Sequence, residues 1–154
     1  MSTPIVEHIA ANIATAIGQV TVANGFNQDL VAIRPKRLDY GQDLTPRDGH
    51  VLVMQGAEAK ETRPTGGESW AQTFILWALV LDSDQATNSI DTRINQVRAD
   101  IHKKLMEDPQ RGGYALDTEL VGSDIISDGR GFSGIALEIT VHYRTKDDDP
   151  YTQI

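Results

Sequence analysis

Cysteine is absent from the 154 residues. Its absence excludes disulfides, thiolate metal ligands and thiol nucleophiles, and removes any clue to redox compartment. Positive charge is scarce: 14 Lys and Arg stand against 22 Asp and Glu, a formal net charge of −8. A chain this acidic is not built to coat nucleic acid or an anionic membrane. Long apolar runs are also missing. The longest, Phe74 to Leu81, falls far short of a membrane span. The N-terminal MSTPIVEH has no basic segment and no signal-length apolar stretch, and no Asn-x-Ser/Thr sequon occurs. The expectation is a soluble protein made in the cytoplasm.

What is present suffices for a core. Apolar residues are 40% of the chain, too many for a wholly disordered polymer. Area scaling gives ~24,500 Å² for the unfolded chain and ~7,700 Å² for the folded one, so no metal or disulfide staple is needed. The length fits one domain.

Ile5, Ile9, Ile13 and Ile17 recur every fourth residue, and Val6, Ala10 and Val20 widen the stripe. This predicts an amphipathic helix over about residues 4–18, with Thr3 as its cap and Pro4 in its first position. Leu30 to Ile33 reads as a strand that Pro35 confines to a sheet edge or ends. Val51 to Met54 reads as a second short strand. Residues 55–69 (QGAEAKETRPTGGES) show no periodicity and carry Gly and Pro, which predicts a long loop or mobile hairpin arm over about 56–69. Trp70 to Leu81 is the strongest strand and is apolar on both faces, so both should be covered. Asp82-Ser83-Asp84 should end it and cap a helix over about 85–106, whose stripe is Ile90, Ile94, Val97, Ile101 and Leu105. Lys103 and Lys104 suit the negative end of its dipole, and Pro109 and Gly112-Gly113 stop it.

Leu116 to Ser127, interrupted by Gly122, and Phe132 to Arg144 read as strands joined by a hairpin at Asp128-Gly129. In the second, Ile135, Leu137, Ile139, Val141 and Tyr143 alternate with Ala136, Glu138, Thr140, His142 and Arg144. One face is therefore core and the other wet or in contact with a partner. The fold class is α+β: a mostly antiparallel sheet of about five strands with two helices packed on one face. Residues 1–145 form the single domain, and 146–154 read as an extended tail outside the sheet, because Pro150 and three adjacent carboxylates oppose continuation of the strand. Two helices cover one face of such a sheet. The other needs the long loop or another subunit.

Chemical motifs are few. Gly129-Arg130-Gly131-Phe132-Ser133-Gly134 matches G-x-G-x-x-G, but a strand follows it where dinucleotide binding requires a helix N-terminus. His8, His50, His102 and His142 lack metal-ligand spacing and read as surface or interface residues. Asp147-Asp148-Asp149 lacks the Gly and Glu of an EF-hand loop and reads as a solvated acidic tail. Asp82 and Asp84 fit strand exit and helix cap better than a catalytic pair. Arg34-Pro35-Lys36-Arg37, the tight basic cluster, reads as a solvated strand end. No P-loop, nucleophile elbow or H-E-x-x-H occurs. No catalytic, cofactor-binding or metal-binding residues are expected.

The order of these segments resembles one family. An Ile/Ala-rich first helix precedes a strand, a long arm and a Trp-rich central strand. A helix reading DTRINQVRADIHKKLMEDP follows, and the chain closes on GIALEITVHYRTKDDDPYT. In this layout the chain resembles the tail terminator, or tail-completion, proteins of long-tailed bacteriophages. Its most specific parts are Lys103 to Pro109, Tyr143-Arg144-Thr145 and Asp149-Pro150-Tyr151.

The resemblance implies a non-enzymatic virion protein with no cofactor, located at the neck end of the phage tail. It implies a homo-hexameric ring on the head-proximal end of the tail tube that stops tube polymerisation and then docks the neck. Implied partners are copies of itself, the tail tube protein and the head-completion or neck protein, with the tape-measure protein or sheath as further contacts. DNA would pass through the ring without specific binding, and like charge would keep it from sticking. The candidate interface residues are the row Glu138, Thr140, His142 and Arg144, the arm residues Lys60 and Arg63, and Asp147, Asp148, Asp149 and Tyr151 of the tail. Another head–tail connector, stopper or baseplate component is the alternative, and a small enzyme with an unrecognised site is a third class.

Overall fold

The computed structural model describes residues 2–36, 48–62, 66–81, 88–127 and 132–154. Helix α1 spans Ile5–Gly18 and buries Ile5, Ile9, Ala10, Ile13 and Ile17, the stripe its spacing predicts. Its N-cap is Pro4, not Thr3, and no side chain caps it. The Pro4 carbonyl accepts from the N–H groups of Glu7 and His8, so the helix starts one residue later than expected.

Helix α2 spans Ile90–Met106 and buries Ile94, Val97, Ile101 and Leu105. Its start also differs from the expected 85, because the cap is Ser89, whose hydroxyl accepts from the Thr92 N–H at 3.2 Å. A Ser hydroxyl that accepts one of the otherwise unpaired N–H groups of the first turn sets this start. Beyond its end lies Arg111, a buried arginine that donates from Nη2 to the carbonyls of Leu105 and Asp108 and so satisfies the helix C-terminus. Burial pulls its pKa down, opposed by the charge of Asp108.

Among the described residues six strands make one sheet: β1 (Val31–Ile33), β2 (His50–Glu61), β3 (Glu68–Leu81), β4 (Asp117–Ser127), β5 (Phe132–Lys146) and β6 (Asp149–Gln153). The order is β1-β2-β3-β5-β4, with β6 also on β5. β1 is parallel to β2 at the edge, and the other pairings are antiparallel. This is the α+β class expected, with both described helices on one face. Their stripes pack with Val51, Val53, Phe74, Leu76, Ala78, Val80, Ile135, Leu137, Ile139 and Val141 in one core.

Three expectations need correction. The second strand does not stop at Met54: β2 runs on to Glu61 and Lys60 faces Trp70 across the pair, so of the loop and the hairpin arm expected over 56–69 the hairpin is the one found. Residues 55–60 are exposed, so no buried face imposes an alternation that a reader of the sequence could detect. The tail is not outside the sheet either. Asp147 and Asp148 turn the chain, Asp148 in the left-handed region at φ 56, and β6 pairs back on Thr145 and Lys146. Pro150 is tolerated because β6 is a short outer strand that can spare a donor. Third, the two faces of β3 are not equally covered. Phe74, Leu76, Ala78 and Val80 are buried, whereas on the opposite face Leu79 is buried but Ile75, Trp77 and Leu81 are half-buried.

The strand runs through Gly122, where the register shifts in a bulge. Leu120 pairs with Ile139 and Gly122 with Glu138, leaving Val121 as the extra residue. Phe132-Ser133-Gly134, the end of the glycine-rich match, is strand. Asp82-Ser83-Asp84, the Asp128-Gly129 turn, Gly129 to Gly131, Arg37 and Arg63 lie outside the described residues.

Candidate functional site

The face of the sheet opposite the helices is divided by residue type. Pairing across β2, β3, β5 and β4 aligns Leu52, Trp77, Ala136 and Asp124 in one row. The next row is Met54, Ile75, Glu138 and Gly122. Leu52 and Leu79 are buried there, Met54, Ile75, Trp77 and Ala136 are half-buried, and Glu138 is exposed. Further along β5 the face turns polar: Thr140 lies beside Thr73 and Glu119, and His142 beside Ala71 and Asp117. The face thus carries an apolar block adjoining the row Glu138, Thr140, His142 and Arg144.

His142 joins three strands. Its Nδ1 is 2.7 Å from Oε1 of Glu61 on β2, and its Nε2 is 3.2 Å from Oε2 of Glu119 on β4. Burial pushes the imidazole pKa down, but the hydrogen bonds and charges of Glu119 and Glu61 outweigh it, and the net shift is upward. As the imidazolium, the ring donates to both carboxylates at once. Arg144 donates from Nη2 to the Gly66 carbonyl and so ties β5 to the turn of the β2–β3 hairpin.

The other face of the hairpin carries Lys60, whose Nζ lies 2.8 Å from Glu68 and 5.6 Å from the Trp70 ring centroid. The Glu68 hydrogen bond and charge raise the Lys60 pKa, and the charges of Asp148 and Asp147 add to the effect. Lys60 and these two carboxylates therefore share one end of the sheet. Asp149 accepts from the Tyr151 N–H at 3.0 Å, and its pKa is lowered by hydrogen bonds from Thr152 and Tyr151. The Tyr151 ring is half-exposed. On the same side Tyr143 donates its hydroxyl to Glu58 at 2.5 Å, and Trp70 donates to Thr145 at 3.1 Å. Burial pushes the Tyr143 pKa well up, and the Glu58 carboxylate pushes it further.

The structure brings Glu138, Thr140, His142 and Arg144 onto one face and gathers Lys60, Asp147 and Asp148 on the other side of the arm. It does not join the two groups. Sequence reasoning missed Glu61, Glu119 and Glu58, the partners of His142 and Tyr143. Their positions depend on strand register, which single residues do not encode. Among the described residues no set of three or more His, Asp or Glu is arranged to hold a metal ion. No protein-family model and no curated protein matches the chain.

Proposed function

We propose that the chain is a structural subunit of a phage particle. In this reading a ring of six copies caps the head-proximal end of the tail tube, stops its polymerisation and offers a docking surface to the neck. The reading is non-enzymatic. The observation that carries it is the apolar block Met54, Ile75, Trp77 and Ala136 beside a polar row, on a sheet face that neither described helix covers. Half-buried apolar side chains flanked by polar ones are the usual composition of a protein–protein contact. The long β2–β3 hairpin provides an arm of the kind that reaches a neighbouring subunit. The segment order resembling tail-completion proteins supplies the position in the particle.

Negative-stain electron microscopy of the purified protein, alone and mixed with tail tubes, tests the proposal. Six-fold rings, or tubes ending in an added ring, are expected. Tubes that elongate unchanged in its presence, together with no ring at any concentration, would overturn it.

A further inference from the structure

β4 is an eleven-residue outer strand. It pairs with β5 on one side, and no described strand pairs with the other. Its exposed side includes Val121 at 56% and Ile125 at 60% exposure, large apolar residues on an open edge. An open edge is a row of backbone donors and acceptors able to take another strand.

The two faces of β4 differ. On the face away from the helices stand Glu119, Gly122 and Asp124, aligned with Thr140, Glu138 and Ala136 of β5. On the helix face stand Leu120, Ser123 and Ile125, with Ser123 Oγ 3.5 Å from the Arg98 guanidinium of α2. Beside the Val121 bulge a groove of about 330 Å³ is lined by Ile75, Val121, Gly122, Ser123, Asp124, Ala136 and Glu138. Its floor is apolar and its rim carries the Asp124 and Glu138 carboxylates. That combination suits a lysine or arginine, whose stem lies on carbon while its head reaches a carboxylate.

We infer that the free edge of β4 binds an extended partner segment whose side chains alternate between basic and apolar. Residues of the added strand facing away from the helices meet Glu119, Asp124 and Glu138 and must be cationic. Those facing the helices meet Leu120 and Ile125, near the Arg98 charge, and must be apolar. Glu119 already accepts from His142, so Asp124 and Glu138 carry most of the selection. A second copy of the same edge is a poor occupant. Two β4 strands would set Asp117, Glu119 and Asp124 against like charges. The features that reject self-pairing thus select a basic strand. This inference does not depend on a role in a phage tail.

The test is an amide NMR titration of the whole chain with three blocked peptides of about eight residues. One alternates Lys and Val, one alternates Glu and Val, and one has the Lys/Val composition in two blocks. The alternating Lys/Val peptide should shift and protect the amides of the β4 free edge. The Glu/Val peptide should bind at least about tenfold more weakly, and added salt should weaken the Lys/Val complex. The double variant Asp124→Lys, Glu138→Lys should lose about tenfold for Lys/Val and gain for Glu/Val, while keeping the wild-type spectrum elsewhere. The milder Asp124→Asn, Glu138→Gln pair should show the same loss without the gain. Equal binding of the block and alternating peptides would mean charge attraction alone and would overturn the inference. So would an absence of β4 response at millimolar peptide, or protection of that edge by self-association without peptide.

Discussion

A histidine held between two carboxylates couples its protonation to the fold. His142 has its pKa raised above the ordinary 6.5, and the carboxylates of Glu119 and Glu61 outweigh the opposing burial. A raised folded-state pKa contributes stability that is complete below the unfolded value and lost as pH rises through the folded value. Replacing His142 by Gln should therefore cost about 0.5–1 kcal/mol near pH 6 and progressively less at alkaline pH. Denaturant titrations of both proteins across that window measure the difference. A difference that grows with pH would contradict the clamp. Arg111 acts through its hydrogen bonds. Arg111→Met removes the donor from the Leu105 and Asp108 carbonyls at the end of α2 and should destabilise by about 2 kcal/mol. Thermal unfolding reads that loss, and Arg111→Lys should recover little of it because a single ammonium lacks the planar fork.

β3 and β5 are paired along their whole length, from Glu68↔Thr145 to Leu81↔Phe132. This pair is the spine of the sheet, and Gly134 is its tightest point, because a Cβ there would strike the Ala78 carbonyl oxygen. Gly134→Val should cost about 3 kcal/mol or more, readable as a large fall in unfolding temperature. β6 is the opposite case. It holds the sheet through Thr145 and Lys146 alone, adds a hydrogen bond from Gln153 to the Gly113 carbonyl, and sets the Ile154 side chain over Gly67. Deleting residues 147–154 should leave the fold intact, lower stability by about 1–2 kcal/mol and speed amide exchange around Glu68. The deletion also bears on the proposed docking role of Tyr151. If the tail docks, the shortened chain folds but tails fail to cap or to join heads. Wild-type yields of joined particles would remove that role.

At the scale of the molecule, the exposed surface is 8658 Å². Scaling from mass gives ~7,700 Å² for a protein of this size. A protruding hairpin and a sheet with helices on one side account for the excess in kind. The proposed contact face gives a direct prediction. Ile75→Lys places a charge amid Met54, Trp77 and Ala136 on that face, opposite the Glu138 carboxylate and away from the helix-side core. The monomer should lose no more than about 1 kcal/mol, because the site is half-buried, while ring formation and tube capping are abolished. Normal capping by a folded Ile75→Lys protein would show that assembly uses another surface.

The two helix stripes, the central strand and the alternation of β5 were legible because burial on one side imposes a period of 3.6 or 2 on side-chain polarity. The glycine at 122 was visible as an interruption of its strand, but that the interruption is a bulge depends on the pairing of β4 with β5. Where both sides of a strand are wet, as in Gln55 to Lys60, no period is imposed. The strand there exists because backbone groups pair with β3, and the backbone bonds alike whatever its side chains. β6 was lost for the same reason, hidden behind charges and a proline that a short outer strand tolerates. Register decided the rest. It placed Glu61 and Glu119 on either side of His142 and Glu58 under the Tyr143 hydroxyl, contacts between residues 23 to 85 positions apart. Composition, helix stripes and the candidate row on β5 are local properties and stand in the sequence by itself. Which carboxylates that row meets, which face the described helices leave and which edge no described strand pairs belong to the pairing of distant strands, and only the tertiary structure decides them.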